Sequence, residues 1–242
     1  MDLGLAEKVV LITGARRGLG AACAQAFAAE GAQVIAVARS QSDLDILKVE
    51  HPSMEIWQMD VTADLFYERL ANLEKLDVLV NNAGYNDPKP MLETSSEVLD
   101  GMLNLNVRAV YLTSQAALKV MSRQGHGVII NMSSQMGHVG AASRTVYCMT
   151  KHAVEGLTKA LAVEVAAQGI RVNSVAPTFV ETEMTRPMLQ SPEFREHVLG
   201  MIPMQQLGQT KDVVNATLFL ASDAAAMTTG HSLLVDGGWT AH

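Results

Sequence analysis

Tyr147 and Lys151 stand four residues apart in Val146-Tyr147-Cys148-Met149-Thr150-Lys151. On a helix that spacing places both side chains on one face. A free tyrosine titrates near ~10 and is a poor base at neutral pH. A positive charge beside it favours the phenolate. That brings proton exchange with an alcohol oxygen toward the working range. Taken alone, the pair also fits an exposed helix face.

A second constellation lies near the N-terminus, in Val9-Val10-Leu11-Ile12-Thr13-Gly14-Ala15-Arg16-Arg17-Gly18-Leu19-Gly20. The apolar run reads as a buried parallel strand. It leads through three glycines into an alanine-rich helix, Ala21 to Glu30. Glycines allow a tight turn and close approach to a pyrophosphate, and the helix N-terminus offers free N–H groups and a positive dipole end. The spacing is Gly-x-x-x-Gly-x-Gly, not the commoner Gly-x-Gly-x-x-Gly.

Over essentially its whole length the chain resembles the short-chain dehydrogenases/reductases. Thr13-Gly14-Ala15-Arg16-Arg17-Gly18-Leu19-Gly20 is similar to that family's cofactor loop, and Asn81-Asn82-Ala83-Gly84 to its segment after the fourth strand. Asn106, Ser134, Tyr147 and Lys151 stand at the positions of its catalytic tetrad. Asn173-Ser174-Val175-Ala176-Pro177 and Asp236-Gly237-Gly238 match its later landmarks. The resemblance implies that Tyr147 exchanges the proton and that Lys151 lowers its pKa and holds the nicotinamide ribose. It implies that Ser134 binds the substrate oxygen and that Asn106 holds a water linking Lys151 to solvent. The cofactor site it implies comprises Gly14, Arg16, Arg17, Gly18, Leu19 and Gly20, then Arg39, Ser40, Asp60 and Val61. Asn82, Ala83, Gly84, Tyr147, Lys151, Pro177, Val180 and Thr182 complete it, with Asp60 on the adenine and Thr182 on the carboxamide.

The choice of dinucleotide is readable from residue types. NAD is selected by an acid at the end of the second strand, against the ribose 2′-hydroxyl. Here that strand ends Val37-Ala38-Arg39-Ser40, and Arg17 lies in the glycine loop. Two arginines suit a 2′-phosphate through charge-assisted hydrogen bonds, so NADP(H) is expected. One position departs from the family pattern: Pro177 is followed by Thr178 where the family commonly has glycine. Threonine takes positive φ only at a cost, so the loop does not need that conformation there. The same departure occurs in the sugar and dicarbonyl reductase branch, which this chain resembles most.

Candidate substrate contacts are Gln135 and Arg144, which flank the tetrad, and Met184. Asn86 and Asp87 add polar groups after the Asn81–Gly84 turn. A polar pocket suits a ketose, polyol or α-dicarbonyl, because buried polar groups left unpaired reject a plain hydrocarbon chain. The methionine-rich stretch points the other way, toward an apolar ligand. Two rivals remain. A 3-ketoacyl-thioester reductase would want a basic patch for an acidic carrier, and a non-catalytic NADP-sensing protein would be free to lose the tetrad.

These groups need a scaffold. Strands are expected at Val9–Thr13, Val34–Ala38, Glu55–Met59, Asp77–Asn81, Gly127–Met132, Arg171–Val175 and Ser232–Val235. Helices fill the gaps at Gly18–Glu30, Leu44–Val49, Ala63–Asn72, Ser96–Arg123, Val146–Gln168 and Lys211–Ser222. The alternation predicts an α/β fold, a doubly wound, Rossmann-like parallel sheet with helices on both faces. The resemblance implies seven strands in the order 3-2-1-4-5-6-7, within a single domain over residues 1–242. Residues 181–210 break the rhythm with prolines 187, 192 and 203 and methionines 184, 188, 201 and 204. Such segments serve as active-site lids or as small subdomains packed by methionines, and the family has a substrate lid here.

Composition bounds the rest. The chain has 242 residues, of which 48% are hydrophobic, enough for one large core. A net charge of -7 without a basic stretch argues against a nucleic-acid partner. The start Met1-Asp2-Leu3-Gly4 has no charged-then-apolar leader, and the longest uncharged stretch, Gly125 to Ser143, is rich in Gly, Ser and Asn. No signal peptide and no membrane span are therefore expected. The two cysteines, Cys23 and Cys148, read as reduced thiols of a cytoplasmic protein, with no metal site. The resemblance implies a homotetramer joined by the long fourth and fifth helices and the last strand. Leu103, Val107, Val110, Leu157, Leu161 and Val165 are apolar positions on those helices, and Trp239 is expected at a subunit contact.

Overall fold

A computed structural model describes residues 3–183 and 185–241. Met184, a candidate substrate contact, lies outside the described residues. Seven strands, β1 (Val9–Thr13), β2 (Gln33–Ala38), β3 (Glu55–Gln58), β4 (Val78–Asn81), β5 (Gly127–Met132), β6 (Ile170–Pro177) and β7 (Ser232–Val235), form one sheet in the order β3-β2-β1-β4-β5-β6-β7. All its pairings are parallel. The strand order reverses between β1 and β4. That switch point opens a crevice at the carboxyl ends of the strands, where open α/β sheets bind ligands.

Alternate side chains of each strand enter opposite cores. Val10 and Ile12 of β1 pack with Cys23, Ala24 and Phe27 of α1 (Gly18–Ala29). Leu11 faces the other way, into a cluster with Phe66, Leu70, Ala117, Val120, Met121 and Leu161. That second core is covered by α3 (Asp64–Ala71), α5 (Ala109–Gln124) and α6 (Thr145–Val165). Between α1 and α3 lies α2 (Gln41–Glu50). The Cys23 thiol sits in the first core, where burial pushes it up to about 12. That marks it as packing rather than chemistry.

Three elements differ from the sequence expectation. The long fourth helix is two helices, α4 (Ser96–Leu103) and α5, joined by a π-helical turn at Asn104–Arg108. Residues 181–210 contain α7 (Arg186–Leu189) and α8 (Pro192–Met201), after which α9 (Thr210–Ala221) returns to the first core. Val198 and Ile202 anchor the α8 region against Phe179, Met136, Cys148 and Trp239. Met204 is 63% exposed, so branched and aromatic side chains, more than methionines, hold this segment. Trp239 is the third difference. It is buried within its own chain, its ring centre 5.8 Å from that of Phe179. It therefore needs no subunit partner to cover it. Val110, Leu161 and Val165 are likewise buried within the chain. Among the described residues no helix is long and apolar enough to cross a membrane, and none group as metal ligands.

A buried polar chain ties α6 to the sheet. Asn81 Nδ2 donates to Asn131 Oδ1 (2.9 Å) and Ser114 Oγ (3.0 Å). Asn131 Nδ2 donates to Thr158 Oγ1 (2.9 Å), which donates to Val154 O (2.8 Å). Every donor of this row is paired, as buried amides require. Asn131→Leu should leave one Asn81 N–H without an acceptor and take the donor from the Thr158 oxygen, at a cost of about 2 kcal/mol. In a chain of this length that lowers Tm by about 4–8 °C. Thermal unfolding followed by circular dichroism checks it, and an unchanged Tm would mean the row is not stabilising.

Candidate active site

The crevice at the switch point is a cleft of about 730 Å³. Its floor begins at the end of β1. Thr13 Oγ1 accepts the backbone N–H of Asn82 (3.0 Å) and of Ala83 (3.1 Å), while Asn82 Nδ2 donates to Thr13 O (3.0 Å) and Gly14 O (3.2 Å). These bonds lock the glycine loop against the segment after β4. Gly20 sits so close that an added Cβ would lie 2.3 Å from Gly14 O and 2.4 Å from Asn82 Nδ2. Gly14 and Gly18 have φ of +67° and +57°, which glycine alone adopts readily. Arg17 is the extended N-cap of α1, and no side chain caps that end.

Every residue expected on the cofactor lines this cleft: Gly14, Arg16, Arg17, Gly18, Leu19, Gly20, Arg39, Ser40, Asp60, Val61, Asn82, Ala83, Gly84, Tyr147, Lys151, Pro177, Val180 and Thr182. Arg17 Nη1 lies 3.3 Å from Glu183 Oε2, and Arg39 Nη1 3.9 Å from Asp60 Oδ2. Both pairs are exposed enough to be weak and exchangeable. Thr178 lines the cleft too, and its backbone φ is not positive: among the described non-glycine residues only Glu7, Ser143 and Gln205 have positive φ.

Ser134 enters from the end of β5, and Tyr147 and Lys151 from the first two turns of α6. Ser134 Oγ donates to Gln135 Oε1 (2.8 Å) and accepts from Met136 N (3.2 Å). Gln135 is buried and does not line the cleft, so its contact is with Ser134. Burial pushes the Tyr147 phenol up to about 12, while the Ser134 hydroxyl and the Arg144 charge pull the other way. Lys151 is pulled down to about 8 by burial, against the favourable charge of Glu155. Lys151 stands beside Tyr147 as the spacing expects, with its ammonium held by a main-chain carbonyl. Lys151 Nζ lies 5.6 Å from the centre of the Tyr147 ring and donates to Met132 O at 2.7 Å. Arg144 adds a second positive charge that favours the phenolate.

Asn106 does not line the cleft. It sits in the π-helical turn, where Nδ2 donates to Tyr85 O (2.8 Å) and Thr150 Oγ1 (3.3 Å) and Oδ1 accepts from Tyr85 N (3.0 Å). Its amide thus joins the loop after β4 to α6. Arg144 is buried, 7% exposed, at the N-cap of α6 and outside the cleft lining. Asp87 pairs with Lys89 (2.9 Å) and does not face the cleft. Residues missed by the sequence reading are Met132, whose carbonyl holds Lys151, Tyr85, and Thr185, which accepts from Thr182 N (3.0 Å). Main-chain acceptors carry no residue-type signal; a hydroxyl three residues after Thr182 was the one available hint.

Comparison with known proteins agrees with this geometry. The family described as enoyl-(acyl carrier protein) reductase matches residues 14–240. The chain is 42% identical to L-xylulose reductase of Mus musculus over 243 residues, covering 100% of both. It is 37% identical to the 3-oxoacyl-[acyl-carrier-protein] reductase FabG of Thermotoga maritima, covering 97% of this chain and 98% of that one. A gluconate 5-dehydrogenase from Burkholderia cenocepacia, solved in complex with NADP and tartrate, superposes with a TM-score of 0.93 at 29% identity, covering 98% of this chain and 96% of that one. Other similar structures were also solved with NADP or NADPH bound. The chain belongs to the short-chain dehydrogenase/reductase family.

Proposed function

We propose that this protein is an NADP(H)-dependent oxidoreductase that interconverts a carbonyl and a secondary alcohol on a small polar substrate, a ketose, polyol or α-dicarbonyl. The observation that carries the reading is one cleft lined by the glycine loop, Arg17, Arg39, Ser134, Tyr147 and Lys151 together. The cradle fits a dinucleotide: the glycine loop is folded so tightly that a Cβ at Gly20 would strike Gly14 O and Asn82 Nδ2, which leaves backbone N–H groups beside the uncapped N-terminus of α1. Arg17 and Arg39 would hold the 2′-phosphate in exchange for their weak pairs with Glu183 and Asp60. Similar proteins solved with NADP or NADPH support this, and the mouse relative's name supports a sugar substrate.

The nicotinamide, when bound, supplies or accepts the hydride. The chain's own groups move the proton and steady the charge. A phenol raised to about 12 keeps its proton at neutral pH, which readies Tyr147 to donate to a developing alkoxide. Ser134, oriented by Gln135, stabilises that oxygen. Lys151, fixed by Met132 O, brings positive charge to the same face of α6. Asn106 positions α6 against the Tyr85 loop and does not touch the reacting atoms. Residues 181–210 form the cover over the substrate end within a single domain. We also infer a homotetramer, supported by the exposed Tyr111, Phe219 and Leu234. Light scattering at micromolar concentration should return four times the chain mass; a monomer mass would remove that reading.

Three measurements test the site. Tyr147→Phe should lower kcat by at least ~10²–10⁴ and leave NADPH binding near wild type; activity within a few fold would exclude Tyr147 as the proton donor. In the wild type, reduction should weaken above pH 8 as Lys151 loses its proton, its pKa being about 8. Alcohol oxidation releases a proton and should therefore gain with pH relative to reduction. A kcat/KM for reduction that stays unchanged from about pH 7 to about pH 9.5 would contradict this assignment of Lys151. Arg39→Asp should weaken NADP(H) greatly and favour NAD(H) relative to it, whereas a wild type that already prefers NAD(H) would refute the arginine assignment. For the substrate, kcat/KM on ketoses and α-dicarbonyls is compared with that on a 3-ketoacyl thioester. A hundredfold preference for the thioester would replace the small polar substrate with the rival that the FabG likeness favours.

A further inference from the structure

Arg144 is a buried cation without an anion. Only 7% of it is exposed, and among the described residues no carboxylate lies within ion-pair distance of it, while its Nη1 has no hydrogen-bond partner. Its surroundings are apolar or weakly polar: the guanidinium carbon lies 5.9 Å from the centre of the Phe179 ring, and Nη2 is 3.6 Å from the Met188 sulfur. A guanidinium keeps its charge in proteins. Leaving such a charge desolvated and unpaired is costly. The backbone adds to the cost, since Ser143, immediately before it, has φ of +58°, a conformation that serine adopts sparingly. Strain and an unpaired buried charge at one point are the marks of a group held ready for a ligand.

The location says which ligand. Arg144 caps α6 three residues before Tyr147, a spacing that faces the same side of the helix. Phe179, under the guanidinium, follows Thr178, which lines the cleft and whose Oγ1 is also buried without a partner. The Arg144 charge acts on the proton-donating phenol, and the unpaired Thr178 hydroxyl lines the same cleft as that phenol. A planar carboxylate at the substrate end accepts bidentately from a guanidinium, and apolar walls such as the Phe179 ring strengthen the pair.

We propose that Arg144 recognises a carboxylate on the substrate, so that the favoured substrates are hydroxy or keto acids of the sugar type and not neutral ketoses. This rests on the carbonyl–alcohol reading above and narrows it. The proposal is tested with matched pairs: ketoaldonates against neutral ketoses of equal carbon number, under NADPH oxidation. The wild type should favour the acid on the order of 10²-fold in kcat/KM, and Arg144→Met should abolish that preference, with turnover of the acid falling on the order of 10²-fold further than that of the ketose. Arg144→Lys should retain part of it, a control if the methionine variant folds poorly. Equal kcat/KM for acid and ketose in the wild type, or equal loss on both in Arg144→Met, would overturn it. A second readout needs no turnover. Tartrate at millimolar concentration should raise the Tm of the wild type in the presence of NADP but not that of Arg144→Met, and uncharged threitol should raise neither. If tartrate protects both proteins equally, the carboxylate site is elsewhere. If tartrate protects only the wild type while no carbonyl compound is turned over, the redox reading fails and the carboxylate site stands.

Discussion

The hydroxyl of Thr13 is the point on which the cleft depends. It accepts two backbone N–H groups from the segment after β4, and the Asn82 amide returns hydrogen bonds to the end of β1. Two parallel strands at a switch point would otherwise diverge, since their connections leave toward opposite faces of the sheet. The tie draws the loops together until only hydrogen fits at Gly20. The floor of the cleft is therefore backbone, without side chains to intrude. Donor groups from α1 and apolar surface from the sheet follow from that one closure.

Desolvation governs the other end of the cleft. Tyr147 and Lys151 share a turn of α6, yet burial pushes their pKa values in opposite senses, toward the neutral form of each. At neutral pH the phenol thus keeps its proton while Lys151, at about 8, keeps most of its charge. Glu155, one turn further along, opposes the loss of charge at Lys151. It is itself held by Ser174 and Ser232 hydroxyls at 2.9 to 3.0 Å. One face of one helix thus carries the donor, the cation and the group that supports the cation.

The sheet was legible because parallel strands buried on both faces read as continuous apolar runs, as Val9–Thr13 and Gly127–Met132 do. The lining of the cleft was legible because a glycine-rich turn between a strand and a helix carries its own spacing. Other features left no mark on residue type. The π-helical turn at Asn104–Arg108 shifts a backbone register while the apolar period continues. Lys151 is held by the Met132 carbonyl, which any residue could offer. Asn106 was identified by position, but its partners Tyr85 and Thr150 come from distant segments that only the fold brings together. Trp239 looked in need of a neighbouring subunit because its cover, Phe179 and Ile202, lies far back in the chain. Arg144, read as a candidate substrate contact, is buried, and burial of a charge is not written in spacing.

The continuity of α6 has a consequence for how this chain can change. Tyr147 and Lys151 near its start and Thr158 further along are attached to the cleft and the sheet respectively, with no loop between them. One residue added or removed within that span turns everything before it by about 100° around the helix axis. The phenol would then leave the cleft while Thr158 stayed in place. The exposed stretch around Gly140 to Ser143 and the turns about α7 have no such anchor on both sides. Length variation among descendants of this sequence should therefore collect in those loops, free to reshape what is bound, while the count of residues from Tyr147 to Thr158 stays fixed.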